Sequence, residues 1–311
     1  MSLQQQTYTD CPVCKNDNIA LTLQAKDYSL TQESFDILVC KKCTLLFTFP
    51  SPSKTAIAPY YNFTNYISHT DVKEGWMNKL YHKVKTRTLL QKSKWVQSLF
   101  TGHKGHILEI GAGTGAFAST MDKKGWKVTA LEPDEGSRKR ALDNYNLTLL
   151  PVDELYNLPK HSFEVITLWH VLEHVHDLSA YMNAFKSLLK VNGRLIIAVP
   201  NHCSYDAQFY KNYWAAYDLP RHLYHFSPSS MDKLCALNNM KVLQYKPMWF
   251  DSFYVSLLSE KYKNAGFFGI VRAFFIGCIS NFKALKDPKR ASSIIYEIKM
   301  LDAAFYLTSF I

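Results

Sequence analysis

The chain lacks any run of eighteen uninterrupted apolar residues, any apolar segment behind its first methionine, and any internal repeat or low-complexity tract. The first absence argues against a transmembrane segment and the second against a secretory leader, so a cytoplasmic globular protein is expected. Carboxylates are also in short supply: 26 Asp and Glu stand against 36 Lys and Arg, a net charge of +10. The imbalance is uneven. Residues 1–100 carry 12 basic and 7 acidic side chains, residues 101–240 carry 14 of each, and residues 241–311 carry 10 and 5. A neutral middle with basic flanks suits an acidic partner (a phosphorylated small molecule, a nucleic acid or a membrane surface), or is a solvated basic surface. With 47% apolar and 20% charged residues in 311 positions, the chain is long enough for one large domain and a small one.

Of seven cysteines, four form two C-x-x-C pairs, Cys11/Cys14 and Cys40/Cys43, with 25 residues between the pairs. Two such knuckles can close one tetrahedral thiolate site, which fits a structural Zn2+; either pair alone would also suit a redox dithiol. With no sign of export, disulfides are not expected. A four-cysteine metal site leaves no ligand for chemistry and would hold together about fifty residues with little core of their own. Cys203, Cys235 and Cys278 are scattered and read as small buried residues.

The densest signal is H-I-L-E-I-G-A-G-T-G-A-F at 106–117. It reads as a short apolar strand, then Gly111, Gly113 and Gly115 around Ala112, then a helix start. Glycines here permit a sharp turn and close approach of a ligand to the backbone, and the helix start offers free N–H groups. An adenosine-type cofactor is expected. The spacing also fits G-x-G-x-x-A of dinucleotide sites, but Glu109 would crowd a pyrophosphate and suits a cofactor bearing ammonium and sulfonium groups. Glu132, 21 residues after Gly111, can accept two ribose hydroxyls in either cofactor class.

Alternation of apolar and helical patterns continues, with strands near 106–110, 127–131, 147–150, 164–169 and 193–199 and helices near 115–124, 135–144 and 178–190. This predicts a parallel sheet covered on both faces, with ligands at the carboxyl ends of its strands. A helix is predicted over Met77–Leu99, another from Ser227-Pro228 to Leu237 with Asn238-Asn239 as its stop, and strands over Lys241–Phe250 and Ser292–Lys299. The apolar stretch 265–280 is short for a membrane span and is interrupted by Arg272; a lid, a dimer contact or an interfacial membrane helix would each fit.

L-E-I-G-A-G-T-G (108–115) and L-E-P (131–133) resemble the first two cofactor motifs of class I S-adenosylmethionine-dependent methyltransferases. With the cysteine pairs, an aromatic segment (Tyr60, Tyr61, Phe63, Tyr66, Ser68, His69) and R-H-L-Y-H-F-S (221–227), the layout resembles bacterial sugar C-methyltransferases and their relatives. The resemblance implies an α/β, Rossmann-like, doubly wound seven-stranded sheet with a small N-terminal zinc ribbon. It implies a zinc ribbon at 1–50, an aromatic connector and helix at 51–100, a cofactor-binding core at 101–250, a helical insertion or lid at 251–291, and a last strand and tail at 292–311. It implies S-adenosylmethionine held by Glu109, Gly111, Ala112, Gly113, Gly115, Glu132, Pro133, Asp153 or Glu154, Trp169 and His170, with Cys11, Cys14, Cys40 and Cys43 on zinc.

At the reacting end the resemblance points to L-W-H-V-L-E-H (168–174) and L-P-R-H-L-Y-H (219–225). His170, His174 and His222 are the catalytic candidates. In one reading His170 or His222 is a general base and Arg221 holds an anionic part of the substrate. In another, His170, Glu173, His174 and His222 gather a divalent metal, resembling metal-assisted methyltransferases of small molecules and RNA 3′ ends. In a third, Glu173 and His174 only tie the loop to the sheet. The aromatic residues at 60–66 and 205–217 suit a lid that excludes water. The expected partner is a small-molecule methyl acceptor, such as a sugar nucleotide, with RNA, a quinone or lipid precursor and a protein side chain as other acceptors. A nicotinamide-dependent oxidoreductase and a non-catalytic nucleic-acid-binding module are the readings from other classes.

Overall fold

The two C-x-x-C pairs fold as matching turns in a computed structural model that describes residues 5–6, 8–61, 76–100 and 104–301. In each, the residue after the second cysteine takes a left-handed backbone, Lys15 at φ 56° and Thr44 at φ 62°. In each, that residue's amide donates to the carbonyl of the first cysteine, at 3.0 Å in both cases. The sulfurs of Cys11 and Cys43, and of Cys14 and Cys40, come within 3.5 Å, and all four lie within 4.8 Å of one another. Thiolates on one tetrahedral zinc, about 2.3 Å from it, stand about 3.8 Å apart, so the donor set fits Zn2+. The hydrogen bond between Cys11 and Cys43 draws the Cys11 thiol down to about 5 and raises that of Cys43, which burial raises further.

Among the described residues, five strands lie in this region: β1 (Gln5–Gln6), β2 (Ile19–Lys26), β3 (Ser34–Cys40), β4 (Leu46–Phe49) and β5 (Ser51–Pro52). β2 and β3 pair antiparallel from Ile19↔Cys40 to Lys26↔Ser34, and β3 pairs β4 from Asp36↔Phe49 to Val39↔Leu46. The turn between β2 and β3 is held by buried Asp27, whose carboxylate accepts the amides of Ser29 (3.1 Å), Leu30 (3.1 Å) and Thr31 (3.0 Å).

Helix α1 (Trp76–Ser98) is the one the periodicity predicts. The alternating part follows: β6 (His106–Ile110), α2 (Ala116–Asp122), β7 (Lys127–Leu131), α3 (Glu135–Tyr145), β8 (Phe163–Trp169), α4 (Leu178–Leu188) and β9 (Leu189–Pro200). β6 runs parallel to β7 (His106↔Lys127) and to β8 (Ile107↔Val165). The strand expected at 147–150 is a single parallel bridge, Leu131↔Leu150. It is confined between left-handed Asn146 (φ 52°) and Pro151, which has no amide to extend the ladder.

The chain then adds α5 (Tyr205–Tyr210), β10 (Tyr224–His225), α6 (Pro228–Leu237), β11 (Met240–Pro247), α7 (Asp251–Tyr262), α8 (Gly266–Lys286) and β12 (Ser293–Met300). Ser227 opens α6 with a capping box: its hydroxyl accepts the Ser230 amide at 3.0 Å, and the Ser230 hydroxyl accepts the Ser227 amide at 2.8 Å. Asn239, at φ 58°, turns the chain after it. The largest sheet runs in the order β11-β12-β9-β8-β6-β7, six strands with the Leu150 bridge beyond β7 in the place of a seventh. This is the α/β class I methyltransferase fold. α8 outruns the sequence reading: the helix continues past Ser280 to Lys286, and at 21 residues it is long and apolar enough, by length and composition, to cross a membrane. The brevity argued from 265–280 therefore does not hold.

Among the described residues, two compact units divide the chain: 5–6, 8–61, 172–178 and 198–296 in one, and 76–100, 104–171, 179–197 and 297–301 in the other. The first packs around Phe35, Ile37, Tyr60, Tyr210, Trp214 and Tyr217. The aromatics expected to form a lid are thus largely core. Their polar tips are satisfied inside, Trp214 Nε1 donating to Asp206 Oδ2 at 2.8 Å and Tyr210 Oη to Glu260 Oε1 at 3.0 Å. Phe63, Tyr66, Ser68, His69 and the tail 302–311 lie outside the described residues. In the second unit Ala112, Ala118, Ala130, Ala141 and Leu149 cluster about the glycine turn.

One equivalent of zinc per chain is expected by elemental analysis of purified protein. Cys40→Ala should lower that stoichiometry and the thermal midpoint together; full zinc content in the variant would exclude the four-cysteine site.

Candidate cofactor site and histidine cluster

The glycine turn is built by backbone bonds from the neighbouring strand. The amides of Gly111 and Ala112 donate to Leu131 O at 2.8 and 3.0 Å, and Gly115 donates to Ala112 O at 2.9 Å. Two glycines are required for opposite reasons. At Gly111 (φ 70°) a Cβ would lie 2.4 Å from Val171 Cγ2, so the position is closed. At Gly113 (φ 55°) a Cβ would meet nothing within 4 Å, so the backbone there borders open space that a ligand can use.

Two carboxylates frame this turn. Glu132 is buried; its Oε2 accepts the Gly113 amide at 2.7 Å and its Oε1 accepts the Asp134 amide at 3.0 Å. Burial raises its pKa, partly offset by those two amides. Each oxygen keeps a lone pair, so ribose hydroxyls can still be accepted. Pro133 is exposed, and its carbonyl, like that of Glu132, accepts Arg138 Nη1 at 2.8 Å. Glu109 is buried on β6, and its Oε2 has no hydrogen-bond partner among the described residues. Burial pushes this carboxyl up to about 8, against the opposing pull of the Lys92 ammonium. On neighbouring β8, the Nε1 of Trp169 is likewise buried without a partner among the described residues. An orphan acceptor and an orphan donor thus sit near the carboxyl ends of two adjacent parallel strands, where such sheets bind ligands. These residues fit a cofactor with a cationic end and polar edges.

Lys92 was not foreseen. Its ammonium lies 4.1 Å from the centroid of the Trp169 ring. Its only sequence signal is a lysine on the helix preceding the motif. His170 has a left-handed backbone, φ 57°, a strained conformation for histidine. Asp153 and Glu154 stand exposed on the 3-10 turn Val152–Tyr156, where Glu154 Oε2 accepts Asn157 Nδ2 at 3.2 Å.

The second candidate group belongs to the other unit, where donor atoms of Glu173, His174 and His222 lie within 4.8 Å of one another. His174 Nδ1 lies 3.0 Å from Arg221 O, and His222 Nδ1 lies 2.9 Å from Ala216 O. A carbonyl can only accept, so both histidines carry a proton on Nδ1, and in the neutral ring the lone pair is on Nε2. Tyr61 Oη also reaches His174 Nδ1, at 3.1 Å. Burial, then the neighbouring His222, depresses His174 to about 4, so it is neutral near pH 7. Asp218 Oδ2 stands 3.9 Å from His222 Nε2. Despite burial, Arg221 and His222 hold the Asp218 carboxyl below its ordinary range. His225 is fully buried against Thr48 Oγ1 at 3.2 Å, and burial drives its pKa far down.

Arg221 does not hold a substrate anion. It is 1% exposed, and its guanidinium is spent on Asp27 Oδ1 (3.0 Å), Asp218 Oδ1 (2.8 Å), Tyr60 O (3.1 Å) and the Ser29 hydroxyl. The sequence offered the arginine but not the two aspartates that enclose it.

A family profile described as "Methyltransferase domain" matches residues 81–245, just over half of the chain. The chain belongs to this methyltransferase-domain family. Among its relatives, the "Ubiquinone biosynthesis O-methyltransferase" of Rhodopseudomonas palustris (strain HaA2) is 26% identical over 100 residues, 30% of this chain and 40% of that protein. That of Xanthomonas euvesicatoria pv. vesicatoria (strain 85-10) is 30% identical over 102 residues, 30% of this chain and 43% of that protein. The chain spans less than half the length of these curated relatives. Among solved structures, magnesium protoporphyrin IX methyltransferase from Synechocystis PCC 6803 with bound SAH shares the fold. The TM-score is 0.51 at 12% identity, covering 80% of this chain and 100% of that one. The family match is to a methyltransferase domain and not to a nicotinamide-dependent oxidoreductase.

Glu109 supplies a test of the site's charge preference. A carboxyl raised from 4.5 to about 8 by folding favours the folded state below pH 4.5, and that contribution is lost as pH rises through 8. A cationic ligand favours the ionised form. Binding of S-adenosylmethionine near pH 7 should therefore release close to one proton, read as buffer-dependent enthalpy in calorimetry. Glu109→Gln should abolish the release; a buffer-independent enthalpy in the native chain would remove the assigned role.

Proposed function

We propose that this chain transfers the methyl group of S-adenosylmethionine to a small-molecule acceptor, such as a sugar nucleotide, whose nucleophile loses a proton. The reading rests on one observation above the rest: the glycine turn of a methyltransferase-domain chain opens at Gly113, and the strand leading into it carries a buried carboxyl, Glu109, whose Oε2 has no hydrogen-bond partner among the described residues. When bound, S-adenosylmethionine supplies a methyl carbon made electrophilic by a sulfonium. The chain's own residues do the rest. Glu109 takes the cationic end, Glu132 fixes the turn and accepts ribose hydroxyls, Ala112 and Gly115 keep the turn close to the strand, and Asp153 or Glu154 accepts the adenine amino group. Positioning two bound reactants contributes most of the rate, because the displacement is in line and the entropy is already spent.

His222 is the proton acceptor in this reading. Its Nδ1–H is fixed on Ala216 O, its Nε2 lone pair is available, and Asp218 nearby stabilises the imidazolium that forms. His174, held near 4, stays neutral and does not compete for the proton. His170 acts through its backbone turn.

A second reading has specific support. Glu173, His174 and His222 offer three donors close enough for one divalent ion, with both Nδ1 protons anchored on carbonyls as in many metal sites. The relatives above are O-methyltransferases by name. Metal-assisted O-methylation of a quinone or lipid precursor, or of RNA, would follow.

Gly113→Arg should abolish S-adenosylhomocysteine binding in calorimetry while leaving the zinc content intact; unchanged affinity would refute the cofactor site. His222→Ala should lower turnover by roughly 10²–10⁴ with cofactor affinity nearly unchanged. Turnover that survives in His222→Ala, or that needs added Mg2+ in the native chain, would set the base role aside.

A further inference from the structure

A helix on a water-exposed surface ordinarily buries its large apolar residues and exposes polar ones. Helix α8 does the reverse. Its buried seam is Gly269, Ala273, Gly277, Ser280 and Ala284, with Ile276 its one large member. Its outer side is Phe267, Phe268, Phe274, Phe275, Phe282 and Leu285, each between 58% and 83% exposed. The small residues are needed where they are. A Cβ on Gly277 would stand 2.5 Å from Phe253 of α7, and the Ser252 hydroxyl of α7 donates to Gly277 O at 3.3 Å. Small residues against protein and large ones facing outward is the pattern of a helix whose outer medium is hydrocarbon.

The charges complete the pattern. Between Lys263 and Lys283 the only charged residue is Arg272, and Glu260 holds its guanidinium at 2.6 and 2.5 Å. The other cations sit at the two ends, Lys261 and Lys263 before the helix and Lys283, Lys286, Lys289 and Arg290 at and beyond its last turn. The ammonium groups of Lys283 and Lys286 lie over the Tyr205 and Phe282 rings, with no carboxylate within hydrogen-bond reach among the described residues. Residues 249–290 hold seven Lys and Arg against three Asp and Glu. Pairing this face with a second copy would bring two sets of cations together. Anionic headgroups would neutralise them.

We propose that the outer face of α8 rests in the surface of an anionic lipid bilayer, its phenylalanines at the boundary of headgroups and acyl chains and its terminal lysines among the phosphates. The helix lies in the plane of that surface and does not cross it, because its seam is tied into the protein. Ser280 Oγ donates to buried Asp206 at 2.6 Å, and α7, its packing partner, has 12 residues, about 18 Å, too short to span.

Flotation of the full chain with phosphatidylcholine vesicles, with and without phosphatidylglycerol, tests this. The chain should float with the anionic vesicles and be released as salt is raised. Phe268→Asp with Phe275→Asp should weaken partitioning at least tenfold while zinc content and S-adenosylhomocysteine binding persist. Should that variant fail to fold, Lys283→Gln with Lys286→Gln, which leaves the apolar face intact, should weaken it severalfold. The proposal is overturned if the native chain stays unbound with both vesicles, floats equally with both, or is unaffected by these substitutions. It is also overturned if sedimentation velocity shows a dimer that the aspartates dissociate.

Discussion

The buried guanidinium of Arg221 is the constraint on which the cysteine-bearing unit depends. A charge with no exposed side-chain surface is tolerable only if it is paired and hydrogen-bonded, and here it sits between Asp27 and Asp218. Asp27 simultaneously holds the β2–β3 turn through three amides. Asp218 simultaneously approaches His222, and the Arg221 carbonyl fixes the tautomer of His174. One ion pair thus ties a hairpin near the zinc knuckles to the loop carrying the histidines. Removing a single partner from such a pair typically costs about 3–5 kcal/mol, because the other charge is left buried alone.

The cofactor turn follows a different logic, that of space. Alanines at 112, 118, 130 and 141 let α2 and α3 approach the strands, and Gly115 continues the theme, since a Cβ there would stand 3.0 Å from Ala141 Cβ. Close packing on one side leaves the backbone of Gly113 bare on the other. Burial of Glu109 in the same unit then converts an ordinary carboxylate into a group that waits for a cation, because desolvation penalises its charge more than Lys92 repays. Shape and charge preference come from the same dense packing.

Much of this was legible in the linear chain. The spacings Gly111-x-Gly113-x-Gly115, Glu109 just before and Glu132 just after announced the turn, because local backbone needs dictate residue type there. The cysteine knuckles were equally plain, since metal geometry imposes a short, fixed separation within each pair. Elements with caps or strong periodicity, such as α1 and α6, also lay near their expected positions. Arg221 and the aromatic run 205–217 were misjudged because charge and ring size signal binding as readily as burial when the partners, Asp27, Asp206 and Glu260, are distant in sequence. The extent of α8 was underestimated because polar residues such as Asn281 and Lys283 end an apolar run without ending a helix.

What the sequence by itself determined is therefore what neighbours along the chain can enforce: the knuckles, the glycine turn, the alternation of strand and helix, and the family. What only the tertiary structure decided is which polar groups are satisfied and which wait. Arg221 is fully engaged, while Glu109 Oε2 has no hydrogen-bond partner among the described residues; α8 turns its small residues inward and its phenylalanines out. The reason is physical: a residue's burial, and the partner that makes its charge or hydrogen bond tolerable, are properties of atoms brought together from remote positions, and no local pattern encodes them.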